Sequence, residues 1–589
     1  MLLHSLLLAL FAFPQQSGPL QAAAAPPPGP EVTATSSDPD APVFDVAAAV
    51  AAAPDDPLVA AILNEGMENN QVMLHMEELV DGIGPRLTSS SNLTEACEWA
   101  AERFRQFGLE NARLERWGEF PVGFDRRHSR GRLVQPEKLE LVFGTHAWTP
   151  GTNGPVRGPV RLAPADDAAL EAARGSFAGA WVLIGSPRPK WDSSDDDFPS
   201  RLGAALSAEG IAGVVEGTRD LIHTGGRYRL DPDHLPTRVS IRLRGDQHKH
   251  LQELLAAGKE LVAEFDIDQR FVPGPIPLYN VIAEIPGREK PEELVIFGGH
   301  IDSWDGARGA QDNGTGTCTT LEAARILAAV GAQPRRTIRF MLWSGEEQGL
   351  LGSSAYIEQH PEENERISAV IVHDGGTNAC SGITATPLML PLFERAFAPL
   401  VAATAADLDE DLRFRIRKVD ALPYPIGSDH DAYLGVGVPG FFWSQNGTQD
   451  YNFIHHTQHD YMEHVKEKYQ RYTSTAVALT AWRLANAEEM VPRADMLQSA
   501  GPRRRLGVSL AGDTLKIESV TAEGLAAKAG LKAGDTVVEV DGTALSSRGD
   551  LSQALSADGE RKRVVILRDG QRLAFWFDWD KRTAEPAQP

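Results

Sequence analysis

Short apolar runs bounded by charge, proline or glycine alternate with stretches of helical period along most of the chain. Bounded apolar runs of this length read as buried strands, and apolar residues recurring at three- and four-residue spacing read as amphipathic helices. From residue 56 to about 107 the pattern is helical, with Cys97, Ala100, Ala101 and Phe104 on one face. A strand is predicted over 112–119. Further on, strands are predicted over 279–285, 294–297, 338–343, 369–372 and 439–443. A helix with Leu321, Ala324, Leu327 and Val330 in register follows Asp312, and another closes the run over 469–487. Strands alternating with helices predict an α/β fold, a mostly parallel mixed sheet with helices on both faces.

The texture changes between 145 and 272. Apolar runs at 156–162, 180–184, 211–215, 239–243 and 261–265 alternate with helical stretches at 167–174, 202–209 and 247–256. This predicts a small α/β module inserted into the larger domain, and its run FAGAWVLIGS resembles the protease-associated domain. The expected division is therefore a catalytic domain split over 57–144 and 273–490, with the insert at 145–272. A charged, proline-containing linker is expected over 491–502. Residues 503–580 contain AGLKAGDTVVEVDG and resemble a PDZ domain, a small β-sandwich-like unit. Leu506, Gly507 and Val508 lie where that family binds the carboxylate of a peptide C-terminus, adding the peptide as a strand.

Composition narrows the class. A chain of 589 residues is too long for a single core. A formal charge of −24 argues against nucleic-acid binding and against a basic membrane-surface patch. The start, MLLHSLLLALFAF, is apolar but short for a membrane span, and Ala22 to Ala25 follow it. Residues 1–25 resemble a secretory signal, so a secreted or periplasmic protein with no membrane span in its mature form is expected. Residues 26–56, rich in Ala, Pro, Asp and Ser, are expected to be a disordered lead-in. Three cysteines, Cys97, Cys318 and Cys380, make no disulfide framework and read as buried thiols.

The chemistry gathers at the ends of the predicted strands. The stretch GGHIDSWDGARGAQDNGTG delivers His300 and Asp302 at a strand end and Asp312 before a helix. Open α/β sheets bind ligands at the carboxyl ends of their strands. Glu346 and Glu347 follow the strand at 338–343, and Asp374 follows that at 369–372. His456 lies in FIHHTQHDY, and Ser428, Asp429 and His430 lie in IGSDHDAY. Zinc accepts imidazole and carboxylate ligands, and a two-zinc site bridged by one carboxylate serves hydrolysis. Two His and three carboxylates make such a set, with one Glu left over as a base.

The ordered set H-x-D, D-N-G, G-E-E, D and H-T over 279–456 resembles the co-catalytic zinc exopeptidase family, which includes bacterial leucyl aminopeptidases and plasma glutamate carboxypeptidase. The resemblance implies two zinc ions per chain and peptide substrates. It implies that His300 and Asp374 bind one ion, Glu347 and His456 the other, and that Asp312 bridges them. Glu346 would be the general base, Asp302 would hold the His300 ring, and a cis-like bond would follow Asp312. Tyr424 stands one residue from the position where some relatives carry a tyrosine that steadies the oxyanion. The expected activity is an exopeptidase acting on small peptides, aminopeptidase or dipeptidase first. The alternatives are a carboxypeptidase, for which Arg227 and Arg229 offer cations, then a glutaminyl cyclase, then a receptor-like binding protein on an inactive scaffold.

Overall fold

The computed structural model describes residues 44–405, 410–497 and, in the C-terminal region, 506–586 apart from 512–513, 522–523, 557–558, 560, 580 and 582. The expected signal at 1–25 and most of the expected lead-in lie outside the described residues.

Ten strands carry the argument. They are β1 (Glu110–Gln135), β2 (Val156–Leu162), β3 (Trp181–Ile184), β4 (Gly213–Gly217), β5 (Ser240–Leu243), β6 (Val262–Ile285), β7 (Lys290–His300), β8 (Arg336–Trp343), β9 (Ile367–Val372) and β10 (Gly440–Phe442). They run in the order β10-β9-β7-β8-β6-β2-β3-β4-β5 within one sheet, with β1 paired to β6. Strands β7, β8, β9 and β10 are mutually parallel where they pair, and β6 joins β8 antiparallel. The α/β reading therefore holds, as a large mixed sheet.

Both faces of the parallel part are covered, which is why its strands read as unbroken apolar runs. Every residue of β8 is buried. Alternate side chains leave opposite faces. Val295 and Phe297 of β7 join a core with Leu321, Ala324 and Tyr472, whereas Leu294 and Ile296 join Met341, Trp343 and Tyr356 on the other side. The strands pack too closely for a side chain at Gly298, where a Cβ would lie 2.2 Å from the Met341 carbonyl.

The insert is continuous with this sheet. Strands β2 to β5 are parallel neighbours of one another, and β6 runs unbroken from the stretch expected to be an insert into the rest of the sheet. The expected boundary at 272 thus falls inside one strand. The antiparallel ribbon of β1 and β6 carries one sheet through both parts, which keep separate cores.

Two stretches expected to lie outside the core contribute side chains to it. Within the expected lead-in at 26–56, helix α1 (Val46–Ala52) is ordered, because Phe44 stacks on Tyr472 at 5.0 Å and Ala49 is buried. Val491 and Met496, in the expected linker at 491–502, are buried in the same core. In both places apolar side chains embedded in a polar stretch find a core to enter. The C-terminal unit has its own core, including Leu506, Ile517, Val537, Val564 and Phe577, under two small antiparallel sheets. All three cysteines are buried and free. No helix among the described residues is long and apolar enough to cross a membrane.

Phe44→Ala removes a ring that is 2 % exposed. It is expected to destabilise the catalytic part by about 3–5 kcal/mol, read as a lowered denaturation midpoint.

Candidate metal centre

The site is built at the carboxyl ends of β7, β8 and β9. His300 is the last residue of β7, and its parallel partner in β8 is Trp343. Between His300 and Asp312 the chain makes a loop, then enters helix α2 (Thr315–Ala329). Asn313 starts that helix: its Oδ1 accepts the Gly316 N–H at 2.9 Å, and its Nδ2 donates to the His373 carbonyl at 2.9 Å. The peptide bond between Asp312 and Asn313 is cis. Gly316 is required here, since a Cβ would lie 2.1 Å from the His373 carbonyl oxygen.

A buried guanidinium holds the loop. Arg86 is fully buried and donates from Nε to the Ile301 carbonyl at 2.8 Å, and from its two terminal nitrogens to Arg308 at 3.2 Å and Gly309 at 2.8 Å. Its backbone and Ser303 exchange two further bonds. Arg126 fastens the loop from the β1 side by pairing with Asp305 at 2.9 Å.

The candidate ligands converge. His300 Nε2 lies 3.3 Å from Asp312 Oδ1 and 3.4 Å from Asp374 Oδ1. His456 Nε2 lies 3.2 Å from Asp312 Oδ2 and 2.9 Å from Glu347 Oε2. Asp312 thus stands between a His300–Asp374 group and a Glu347–His456 group. His455 is also near, with Nε2 3.8 Å from Asp312 Oδ2.

Asp302 meets the His300 ring chiefly through its main chain. His300 Nδ1 is 3.0 Å from the Asp302 backbone carbonyl and 3.6 Å from its carboxylate, so the main chain holds the ring. The Asp302 carboxylate also accepts the N–H groups of Glu346 and Glu347, each at 3.3 Å, and the Thr88 hydroxyl at 3.0 Å. It orients the two-Glu turn because that turn brings two backbone donors to a fully buried acceptor.

Tyr424 is not brought to the cluster. It is 38 % exposed, and its hydroxyl lies against Gly435. The phenol beside the cluster is that of Tyr451, whose ring stacks on His455 at 4.8 Å. Burial lifts its pKa well above the ordinary value, and the carboxylates of Asp312, Asp374 and Glu347 add to the rise. Sequence reasoning also left Asp460 unassigned. Its carboxylate accepts the N–H groups of Gln311 and Asp312, at 2.7 and 3.1 Å, and so positions the central carboxylate. The hint was its place in FIHHTQHDY, but nothing in one sequence separates it from a solvated Asp.

The residues fit a metal. His300 Nε2, Asp312 Oδ2 and both Glu347 oxygens are buried and make no hydrogen bond, an expensive condition for polar atoms unless a ligand completes them. His300, Asp312 and Asp374 each offer a donor atom within 4.8 Å of the others. Imidazole and carboxylate together suit zinc.

Electrostatics point the same way. Burial pushes Glu347 up to about 8, with the Asp312 charge adding to it, and burial lifts both Asp429 and Asp460 to about 7. Glu346 is raised well above the usual carboxylate range, again chiefly by burial. Burial opposes charge on His456, but Asp312 and Glu347 outweigh it and lift the ring to about 11. The cluster traps protons that positive charge placed among the carboxylates would displace.

Helix-covered parallel strands deliver imidazoles and carboxylates to one buried point, which defines an α/β protein with a constellation able to hold metal. Residues 280–480 match Peptidase family M28, and residues 516–568 match the PDZ domain. Residues 280–480 are thus a Peptidase family M28 domain, followed by a C-terminal PDZ domain. It is 26 % identical to Carboxypeptidase Q of Mus musculus over 73 % of this chain and 88 % of that one. It is 27 % identical to leupeptin-inactivating enzyme 1 of Streptomyces exfoliatus over 36 % and 50 % of the two chains. A peptidase M28 precursor from Shewanella amazonensis shares the fold, with a TM-score of 0.52 at 23 % identity over 73 % of this chain and 96 % of that one.

Two outcomes are expected. Arg86→Lys cannot serve three loop carbonyls with one fork and should cost roughly 3 kcal/mol or more in thermal or denaturant unfolding. For pH, the buried carboxyls of Glu347, Asp429 and Asp460 have folded values of about 7 to 8, against about 4 when unfolded. The folded metal-free protein then binds more protons than the unfolded chain, so its stability falls as pH rises from about 5 to 8. Melting temperatures in chelator should drop across that window, and zinc should restore more of the loss at its upper end.

Proposed function

We propose that the chain is a di-zinc exopeptidase of small peptides, aminopeptidase or dipeptidase first. The observation that carries this is the pairing at Asp312: one buried carboxylate with an oxygen facing His300 and the other facing His456. Asp312 would bridge two ions, with His300 and Asp374 completing one site and Glu347 and His456 the other. When bound, such ions polarise a scissile carbonyl and lower the pKa of attacking water.

The remaining steps belong to side chains. Glu346 and Glu347 are neighbours on a turn held by Asp302, so one faces the ligand cluster while the other is free to act on substrate. Glu346 takes the proton of the attacking water on its carboxylate and returns it to the departing amine nitrogen. Its burial favours the protonated form after transfer. Trp304, packed edge-to-face on His456 at 6.2 Å, walls the site against water. Tyr451 is the better placed phenol for steadying an oxyanion, in place of Tyr424.

A carboxypeptidase is the second reading, favoured by similarity to proteins named Carboxypeptidase Q and by Arg227 and Arg229, which stand exposed on the insert. The PDZ unit is read as a holder of a peptide C-terminus at Leu506, Gly507 and Val508. Gly507 has φ +82°, which shapes the loop, and Val508 opens the strand beside it. The apolar start of the chain supports export to a secreted or periplasmic location.

The test is a free-ended decapeptide and its component dipeptides, with and without chelator, products read by mass. Chelator-sensitive loss from the amino end is expected; loss from the carboxyl end favours the second reading, and no cleavage by zinc-loaded protein overturns both. Glu346→Gln should lower kcat by about 10²–10⁴-fold while retaining bound zinc.

A further inference from the structure

His456 is the candidate ligand with the least support from its own surroundings. Its side chain is 37 % exposed, against 11 % or less for His300, Asp312, Glu347 and Asp374. Its backbone is left-handed, with φ +54°, a conformation disfavoured for a residue that carries a Cβ. The helix before it, Tyr451–Ile454, is a single turn. A ligand must be held within a few tenths of an ångström to bind a metal well, so some other element has to fix this segment.

That element comes from the insert. Thr224 N–H donates to the His456 carbonyl at 2.6 Å. Ile222 N–H donates to the Gln458 side-chain oxygen at 2.6 Å, and Gln458 N–H donates back to the Ile222 carbonyl at 3.1 Å. Between them His223 faces Thr457 as an antiparallel bridge. The two segments form a short bracket between parts of the chain more than two hundred residues apart.

The insert end of the bracket is itself anchored. Ala147 N–H donates to the Gly225 carbonyl at 2.9 Å, and Ala147 pairs with Gly226 as a parallel bridge. The Arg242 guanidinium donates to the His223 carbonyl. Two residues further on, Tyr228 stacks on Phe120 of β1 at 5.0 Å. Thr224 also lines the small cavity bounded by Trp304, Asp312, Glu347 and His456.

We infer that residues 222–226 of the insert are a working part of the metal centre, a strap that positions His456 through its main chain. The inference rests on the reading of His456 as a ligand. The insert then bears directly on the Glu347–His456 site, whereas the His300–Asp374 site is held mainly by β7, β9 and Arg86. Coupling is reciprocal: an ion at the Glu347–His456 site tightens the strap as the strap tightens the ion.

Two variants test it in the full chain. Thr224→Pro removes the N–H donated to His456, and Gln458→Leu removes the oxygen that accepts from Ile222. Metal-stripped proteins are titrated with zinc by calorimetry, and amide exchange is followed over 222–226 and 456–458. Folding in chelator is checked by circular dichroism; should the proline variant misfold, Gln458→Leu decides alone. Wild type is expected to take up two ions, and zinc should slow exchange in the strap. Each variant should weaken one ion by about ten- to a hundred-fold and affect the other less. Two ions bound with wild-type affinities in the variants would overturn the strap alone. Wild type that binds no zinc would overturn the strap together with the reading it rests on.

Discussion

The structure depends on keeping acidic side chains together where water is largely excluded. Asp302, Asp312, Asp374, Asp429 and Asp460 are all buried, and Glu346 and Glu347 are largely so, around one point at the sheet edge. Repulsion among them in a low-dielectric pocket is severe unless protons or cations intervene. The protein answers in three ways. Some carboxylates accept backbone N–H groups, as Asp302 and Asp460 do. Others face imidazoles, as Asp312 does. Arg86 places a buried positive charge behind the loop that joins His300 to Asp312. What remains unsatisfied faces the cluster itself, which is the condition of a site made for metal.

This arrangement needs rigid supports, and the sheet supplies them. Parallel strands buried on both faces bring His300, the Glu346–Glu347 turn and Asp374 to neighbouring strand ends without any loop having to reach. The glycines beside them allow close approach: Gly298 lets β8 pack against β7, and Gly316 lets α2 begin directly over the end of β9. Asp312 and His456 are the exceptions, carried away from the strand ends, His456 on a loop of its own. The long ribbon of β1 and β6 extends the same sheet into the insert and returns a segment to that loop. Sheet continuity is thus what allows the insert to act on the site.

The parallel strands were legible because double-sided burial leaves bounded apolar runs, and the Glu346–Glu347 pair was legible because it and Asp374 follow two such runs, with His residues on the intervening loops. The helix at Val46–Ala52 was not, because a stretch of Ala, Pro and Asp looks disordered until Phe44 is seen to enter a core made by Tyr472. Tyr424 was offered for its place one residue from a tyrosine of some relatives, and position in the chain does not report which phenol faces a pocket. The resemblance assigned Asp302 to the His300 ring, and the structure adds that its carboxylate also accepts the N–H groups of the Glu346–Glu347 turn.

The sequence by itself determined the alternation of strands and helices, the acidic balance, the residue types able to bind zinc, and the separate PDZ unit, because each is written in local pattern or composition. Tertiary structure alone decided that Arg86 is a buried clip, that Asp460 supports the central carboxylate, and that the 145–272 stretch shares the sheet and touches the His456 segment. These are contacts between residues far apart in the chain. Their energies depend on burial and mutual distance, and no local window of sequence contains either.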